Sequence, residues 1–261
     1  MLNRGPEKKM NIQWNAGKYT SDFSFVYQYG NAVTELIEAD TGSTILDLGC
    51  GNGALSKALK DKGFIVTGMD ASADQLAVAR EKYPDIPFYQ ADAADFCLNE
   101  PVDVVFSNAV FHWIDADRQP QMLRCVHRAL KESGQFVFEM GGCGNNRMIH
   151  EALAEVFSEH GYAYSNPFYF PSIGEYASLV EKEGFQVKYA LLFDRMTELK
   201  GENGLSDWIR MFVKTPFAVV ASEAEQERII EQAVERLRGQ LCRDGVWYAD
   251  YVRLRMRAVK N

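Results

Sequence analysis

Residues 44–59 read TILDLGCGNGALSKAL. An apolar run ends near Asp47, passes through Gly49, Gly51 and Gly53, and continues with helical spacing. A strand that enters a helix through so short and glycine-rich a loop constrains the fold more than any other feature of the chain. Glycine reaches positive φ and lets another group approach the backbone with no Cβ in the way. Such a loop belongs at the carboxyl end of a strand in an open α/β sheet, where ligands bind near the switch point of strand order.

The rest of the chain supplies that sheet. Runs at 44–48, 64–69, 86–90, 102–106 and 134–140 are apolar throughout, which predicts parallel strands covered by helices on both faces. Helices are expected at 53–62, 73–83 and 117–131, giving right-handed crossovers. Capping boxes start at Ser72, Ser172 and Ser222, and Gly63 stands where a left-handed C-terminal residue belongs.

After residue 141 the rhythm changes. A loop (GGCGNN, 141–146), a helix at 147–160, an aromatic connection (NPFYFPS, 166–172), a helix at 173–183 and a strand at 185–193 are expected. Residues 203–240 read as helical with a break at Thr215–Pro216. In 247–259, Val252, Leu254 and Met256 alternate with Arg253, Arg255 and Arg257. That is the period of a half-buried, antiparallel strand, with the arginines and Lys260 read as its solvated face. The expected fold class is α/β: a Rossmann-like sheet of seven mostly parallel strands, the last antiparallel, with helices on both faces and a helical cap. The expected organisation is an N-terminal lid over 1–30, a core over 31–145, and the remainder over 146–261 with cap insertions at about 146–171 and 200–243.

Composition narrows the function. The net charge of −8 speaks against a nucleic-acid partner. Five cysteines, scattered and without a CxxC pair, predict neither a disulfide framework nor a metal site and suit a reducing cytoplasm. The N-terminus, MLNRGPEKKMNIQW, has no apolar core of a signal peptide. No run approaches the ~18 apolar residues of a membrane span. A small-molecule partner and a monomer or homodimer are expected.

The loop spacing is D-x-G-x-G-x-G rather than the GxGxxG of a dinucleotide site. Asp47 would repel a pyrophosphate but suits an α-ammonium group. LDLGCGNG resembles the first motif of the class I S-adenosylmethionine-dependent methyltransferases. That resemblance covers about residues 30–260 and implies S-adenosylmethionine as cofactor. It makes Asp47, Gly49, Cys50 and Gly51 cofactor-binding residues. Asp70, followed by Ala71, would hold the ribose hydroxyls, and Asp92 with Ala93 would meet the adenine. Asp92 reads alternatively as a helix N-cap. Ser107, Asn108 and Ala109, in VFSNAVFHWI, would pass beside the methionine moiety.

His112 and Trp113 follow as candidate acceptor contacts. His112 would be the first choice of general base where an acceptor needs one; its other reading is a hydrogen bond that holds the turn. In the aromatic segment 10–30, Tyr19 and Gln28 are candidates for the cofactor's methionine end or for packing. Tyr169 and Trp208, with Arg210 and Met211, are pocket or core candidates from the cap. WNAGKY, SNAVFHWI and the helical insertion before the last strand resemble the trans-aconitate methyltransferase-like branch, which methylates carboxylates of small acids. The arginine expected in the lid helix is absent; Tyr29-Gly30 stands near its place.

The implied function is methyl transfer to a small molecule, with O-methylation of a carboxylic acid the specific expectation. N- or C-methylation of another metabolite or of a carrier-bound acyl group is the alternative. An NAD(P)-dependent oxidoreductase and a non-catalytic cofactor-binding subunit are the competing classes.

Overall fold

The computed structural model describes Gly30 and residues 32–261. Tyr19, Gln28 and the expected lid lie outside the described residues. Strands β1 (Thr44–Leu48), β2 (Ile65–Asp70), β3 (Phe88–Gln90), β4 (Val102–Asn108) and β5 (Leu130–Gly141) pair in parallel in the order β3-β2-β1-β4-β5. Helices α1 (Ala54–Asp61), α2 (Ala73–Lys82) and α3 (Gln119–Ala129) make the crossovers. The chain continues through α4 (Arg147–Glu159), α5 (Ile173–Lys182), β6 (Phe185–Leu199), α6 (Gly204–Phe212), α7 (Lys214–Phe217), α8 (Glu223–Leu241), a two-residue β7 (Cys242–Arg243) and β8 (Val246–Lys260). β8 inserts antiparallel between β5 and β6, which makes the expected seven strands, and among the described residues the two-residue β7 adds an eighth beside β8.

Side-chain alternation divides the sheet between two cores. Leu46, Leu48, Val105, Phe136, Phe138, Leu254 and Met256 face α3 and α5. Ile45, Val66, Val104, Phe106 and Val137 face the opposite way, against Leu59 of α1 and Val33. A third core gathers α4, α6 and α8 around Leu153, Val156, Phe157, Trp208, Ile209, Ile230 and Leu237. It is built on the part of β6 and β8 that runs past the end of β5, because Asp194–Leu199 pairs with Val252–Trp247.

Several elements differ from the sequence reading for identifiable reasons. β5 begins at Leu130, where the backbone leaves the helical region to pair with Val102. β6 is longer than 185–193 because its polar end finds partners on β8, a pairing no local pattern encodes. The helical stretch breaks close to where expected, at Val213, between α6 and α7. Pro216 itself sits within the first turn of α7, where a missing N–H costs nothing, and a second interruption follows at 218–222. Ser72 and Ser172 accept from the N–H of Gln75 (3.3 Å) and Glu175 (3.2 Å), but Ser222 makes no side-chain cap. Gly63 has φ 91° after α1, as expected.

The arginine face of β8 is the largest correction. The two-residue period holds, yet Arg253 is only 5% exposed. Arg253 and Arg255 turn onto the buried carboxylate of Glu139 on β5, Arg257 pairs with Glu38, and Lys260 donates to Leu130 O. The face is covered rather than solvated, because β8 is an interior strand.

Candidate active site

The carboxyl ends of β1, β2 and β4 meet at the glycine loop. Gly49, Gly51 and Gly53 have φ of 78°, 54° and 80°, a region that L side chains enter at a cost of roughly 1–2 kcal/mol each. The glycines serve different purposes. A Cβ on Gly49 would come within 2.2 Å of Val110, so that position is closed by packing. A Cβ on Gly51 would meet nothing within 4 Å, so the loop is open there. The loop is pinned from both sides. Gly49 and Cys50 donate to Met69 O at 2.6 and 3.0 Å, and Gly51 donates to an Asp70 carboxylate oxygen at 2.8 Å. The second Asp70 oxygen accepts from Ser72 N at 2.8 Å. Burial raises the Asp70 pKa against these hydrogen bonds. Cys50 is buried, and burial together with Asp47 and Asp70 pushes its thiol pKa far up. Ala71 accepts from the Gln90 side chain through its carbonyl at 3.0 Å.

Asp47 lies beneath this loop. Strand alternation turns it toward α1, where it is 1% exposed and accepts from Ser56 Oγ at 2.5 Å. Burial pushes its pKa up to about 7, with the Ser56 bond opposing and Asp70 adding to the rise. The electrostatic selection expected of Asp47 is therefore not offered by an exposed carboxylate; its direct contact is the tie between β1 and α1. Asp92, beyond β3, accepts from Arg118 at 2.7 Å and, through its other oxygen, from Ala94 N at 2.9 Å. The second bond closes a turn and not a helix, since no helix starts there, so the N-cap alternative for Asp92 does not hold; Ala93 lies half-buried inside that turn.

Beyond β4, Ser107 is buried and donates to Leu48 O at 2.7 Å, crossing to β1. Asn108 is buried as well, and Ala109 takes a positive φ of 61° while donating to Glu139 O at 2.8 Å. A non-glycine residue in this region is uncommon, and here it redirects the chain into the turn that carries His112 and Trp113. His112 is 7% exposed, and its Nδ1 accepts the Gly141 N–H at 3.2 Å. The ring proton of the neutral imidazole therefore sits on Nε2. Burial, helped by the charge of Arg253, lowers its pKa well below the usual imidazole value. Trp113 packs edge-on against Phe168 at 4.7 Å between ring centres.

The cap candidates separate. Tyr169 adjoins the site through its N–H, which donates to His112 O at 3.1 Å, but its hydroxyl donates to Glu175 at 2.9 Å. Trp208 is 2% exposed in the cap core, its Nε1 donating to Tyr251 Oη at 2.6 Å. Arg210 is engaged with Glu227 and Asp207, and Met211 is buried.

Residues that sequence reasoning missed hold this region together. Gln119, at the start of α3, is fully buried. Its amide donates to the carbonyls of Phe111 and Ile114, both at 2.8 Å, and accepts from Tyr176 Oη at 2.8 Å. Nothing local marks that role, since Tyr176 lies 57 residues away. Phe168 and Phe170, stacked at 5.3 Å, lie beside both His112 and His150.

A parallel sheet ordered 3-2-1-4-5, closed by an antiparallel strand between the fifth and its outer neighbour, with a glycine loop after the first strand and an acid ending the second, defines a class I methyltransferase fold. A family described as "Methyltransferase domain" matches residues 45–134. An uncharacterized methyltransferase of Schizosaccharomyces pombe is 31% identical over 95% of this chain and 98% of its own length. The trans-aconitate 2-methyltransferase of Enterobacter sp. is 27% identical over 77% of this chain and 79% of its own. Among solved structures, a phosphoethanolamine N-methyltransferase 2 of Haemonchus contortus in complex with S-adenosyl-L-methionine superimposes with a TM-score of 0.57 at 20% identity. That match covers 90% of this chain and 52% of the other, and shows a shared fold. The chain belongs to the class I S-adenosylmethionine-dependent methyltransferases.

The residues present fit that cofactor. The loop is open at Gly51, where the backbone can be approached. Asp70 is a carboxylate at the adjoining strand end with a partly exposed surface.

Proposed function

We propose that the chain methylates a carboxylate oxygen of a small organic acid. The observation that carries this is the state of His112. It is the histidine nearest the strand ends, and its Nδ1 lone pair already accepts the Gly141 N–H while burial keeps the ring neutral. With the proton on Nε2, it has no lone pair free to take another, so it is a donor and not a general base. An acceptor that must first lose a proton gains nothing from such a group. A carboxylate arrives already ionised. The similarity to an enzyme whose name gives trans-aconitate, a carboxylic acid, as its acceptor supports the same reading.

In this proposal Asp70 takes the ribose hydroxyls, Asp92 and Ala93 the adenine, and the Gly49–Gly53 loop with Ser107–Ala109 the methionine end. S-adenosylmethionine supplies a methyl group made electrophilic by its sulfonium. The protein's part is to orient the acceptor and exclude water; such positioning is worth roughly 7–11 kcal/mol. In this reading His112 Nε2–H and Trp113 orient the acceptor oxygen. Incubation with methyl-labelled S-adenosylmethionine and a panel of organic acids tests the reading. The expected product is a methyl ester that releases its label in mild alkali, formed at a rate unchanged between pH 6 and 8. Label in an alkali-stable N- or C-methyl product overturns it.

A further inference from the structure

The first turn of α4 holds polar side chains that the chemistry above leaves unused. Asn146, His150 and Asp250 are 2%, 6% and 7% exposed. Each has a buried atom without a hydrogen-bond partner: Asn146 Oδ1, His150 Nε2 and Asp250 Oδ1. Buried polar atoms are nearly always paired, and an unpaired one costs stability. The three belong to one place. Asn146 precedes α4 and His150 stands one turn on, over the same face of the helix. Asp250, on β8, accepts from Met148 N through Oδ2 and from Asn146 N through its carbonyl, both at 2.8 Å. An asparagine at the start of a helix ordinarily caps it with its own side chain. Here Asp250 takes that bond, and Asn146 Oδ1 is left over.

The hydrogen-bond polarity of the cluster follows from Tyr164. Its hydroxyl lies 2.6 Å from His150 Nδ1, its one hydrogen bond among the described residues. The hydroxyl therefore donates to Nδ1, and the His150 ring proton sits on Nε2. Burial lowers the His150 pKa to about 4, so the ring is neutral. The cluster thus offers one N–H donor and two oxygen acceptors, one of them a carboxylate. It stands at the carboxyl end of the sheet, beside the turn that bears His112. The loop leading into α4 starts at Gly141, which donates to His112, and is tied to β8 by Gly142 N donating to Val252 O at 2.9 Å. Phe168 and Phe170 adjoin both histidines. Their ring centres lie 6.2 and 5.9 Å from that of His112, and 5.5 and 6.2 Å from that of His150. A molecule oriented by His112 would reach the α4 cluster along that stacked pair.

We infer that Asn146, His150 and Asp250 hold the far end of the acceptor, and that this end is an uncharged primary carboxamide rather than a second carboxylate. A carboxamide oxygen accepts from His150 Nε2, and its two N–H groups donate to Asn146 Oδ1 and Asp250 Oδ1. A carboxylate in the same place would accept from His150 but face two further acceptors, one of them charged, with no proton to give. The three side chains are specificity residues. The inference rests on the acid-methylation reading and narrows it.

The test uses the full chain saturated with S-adenosylhomocysteine, which allows binding without turnover. It is run at pH 8, where Asp250, its pKa raised by burial to about 6, is ionised. The monoamides of succinic, glutaric and adipic acids are titrated by calorimetry, each against its own diacid, so that no single chain length is assumed. At least one monoamide is expected to bind about tenfold tighter than its diacid. Asp250→Asn puts an N–H group where an oxygen stood and should move that ratio about tenfold toward the diacid. Asn146→Gly suits the φ of 52° at that position and should cut the ratio about fivefold. Affinity for S-adenosylhomocysteine should stay within about twofold in both. No monoamide preference at any length, the result of a cluster bridged by water alone, overturns the inference. So does an unchanged ratio in either variant that still binds S-adenosylhomocysteine. Should Asp250→Asn not fold, Asn146→Gly decides alone. The two readings fail separately. Monoamide preference with no ester formed sinks the methylation reading alone. Esters formed equally well from monoamide and diacid sink the carboxamide site alone.

Discussion

On the β1–β2 side the sheet end is shaped by backbone; on the β5–β8–β6 side it is held by side-chain charge. The first is a contiguous stretch, Asp47 to Gly53, bent by three positive-φ glycines and pinned by Met69 O and Asp70. The second joins Glu139 to Arg195, Arg253 and Arg255, which are 56, 114 and 116 residues away. One side is fixed by the shape of the chain, the other by complementary charge. They meet at β4, where Ala109 bonds to Glu139 O and Asn108 is in register with it.

The contrast can be broken most forcibly at Glu139. Glu139→Ala leaves three guanidinium groups without their carboxylate, and loss of one partner of a buried ion pair costs about 3–5 kcal/mol. Urea unfolding should show that loss; a loss under 1 kcal/mol would mean that solvent already carries the cluster.

The glycine loop sharpens the comparison next. Gly49→Ala combines a strained φ with a contact of 2.2 Å to Val110 and should cost on the order of 3 kcal/mol in stability. Gly51→Ala has strained φ but open space. It should cost about 1 kcal/mol yet weaken S-adenosylhomocysteine binding at least tenfold in calorimetry. Equal stability losses in the two variants would contradict the distinction.

Asp47 tests whether its burial carries weight. Its folded pKa, about 7, lies above the 3.8 of the free side chain. The folded protein therefore holds that proton more tightly, and the stability this contributes is present below pH 4 and lost as pH rises through 7. Asp47→Asn has no such loss. The variant should gain stability relative to the wild type between pH 4 and 8, by up to about 4 kcal/mol. A difference that is flat with pH would place an ionised carboxylate there. The smallest effects are at the helix starts. Ser72→Ala should lose about 1 kcal/mol with its cap, whereas Ser222→Ala should be neutral in thermal unfolding, because Ser222 makes no cap.

The same division explains what the sequence revealed. The strand, loop and helix around LDLGCGNG were legible because glycine spacing and apolar runs are local. So was Asp70, which closes an apolar strand by its own position. The side-chain environment of Asp47 was not, because a one-residue alternation decides whether it meets solvent or Ser56. The alternation of Arg253, Arg255 and Arg257 was visible, but not that a neighbouring strand would bring Glu139 against them. Charge at period two looks the same on a wet face and a buried one until the strand order is known. Gln119 and the outer half of β6 were hidden for the same reason, since their partners come from distant sequence.

The division between the two regions is tested most directly by one calorimetric comparison of S-adenosylhomocysteine binding in the wild type, Asp70→Asn and Arg253→Met. The account expects Asp70→Asn to weaken binding at least tenfold and Arg253→Met to leave it within twofold. Unaltered binding in Asp70→Asn, or an equal loss in Arg253→Met, would contradict it.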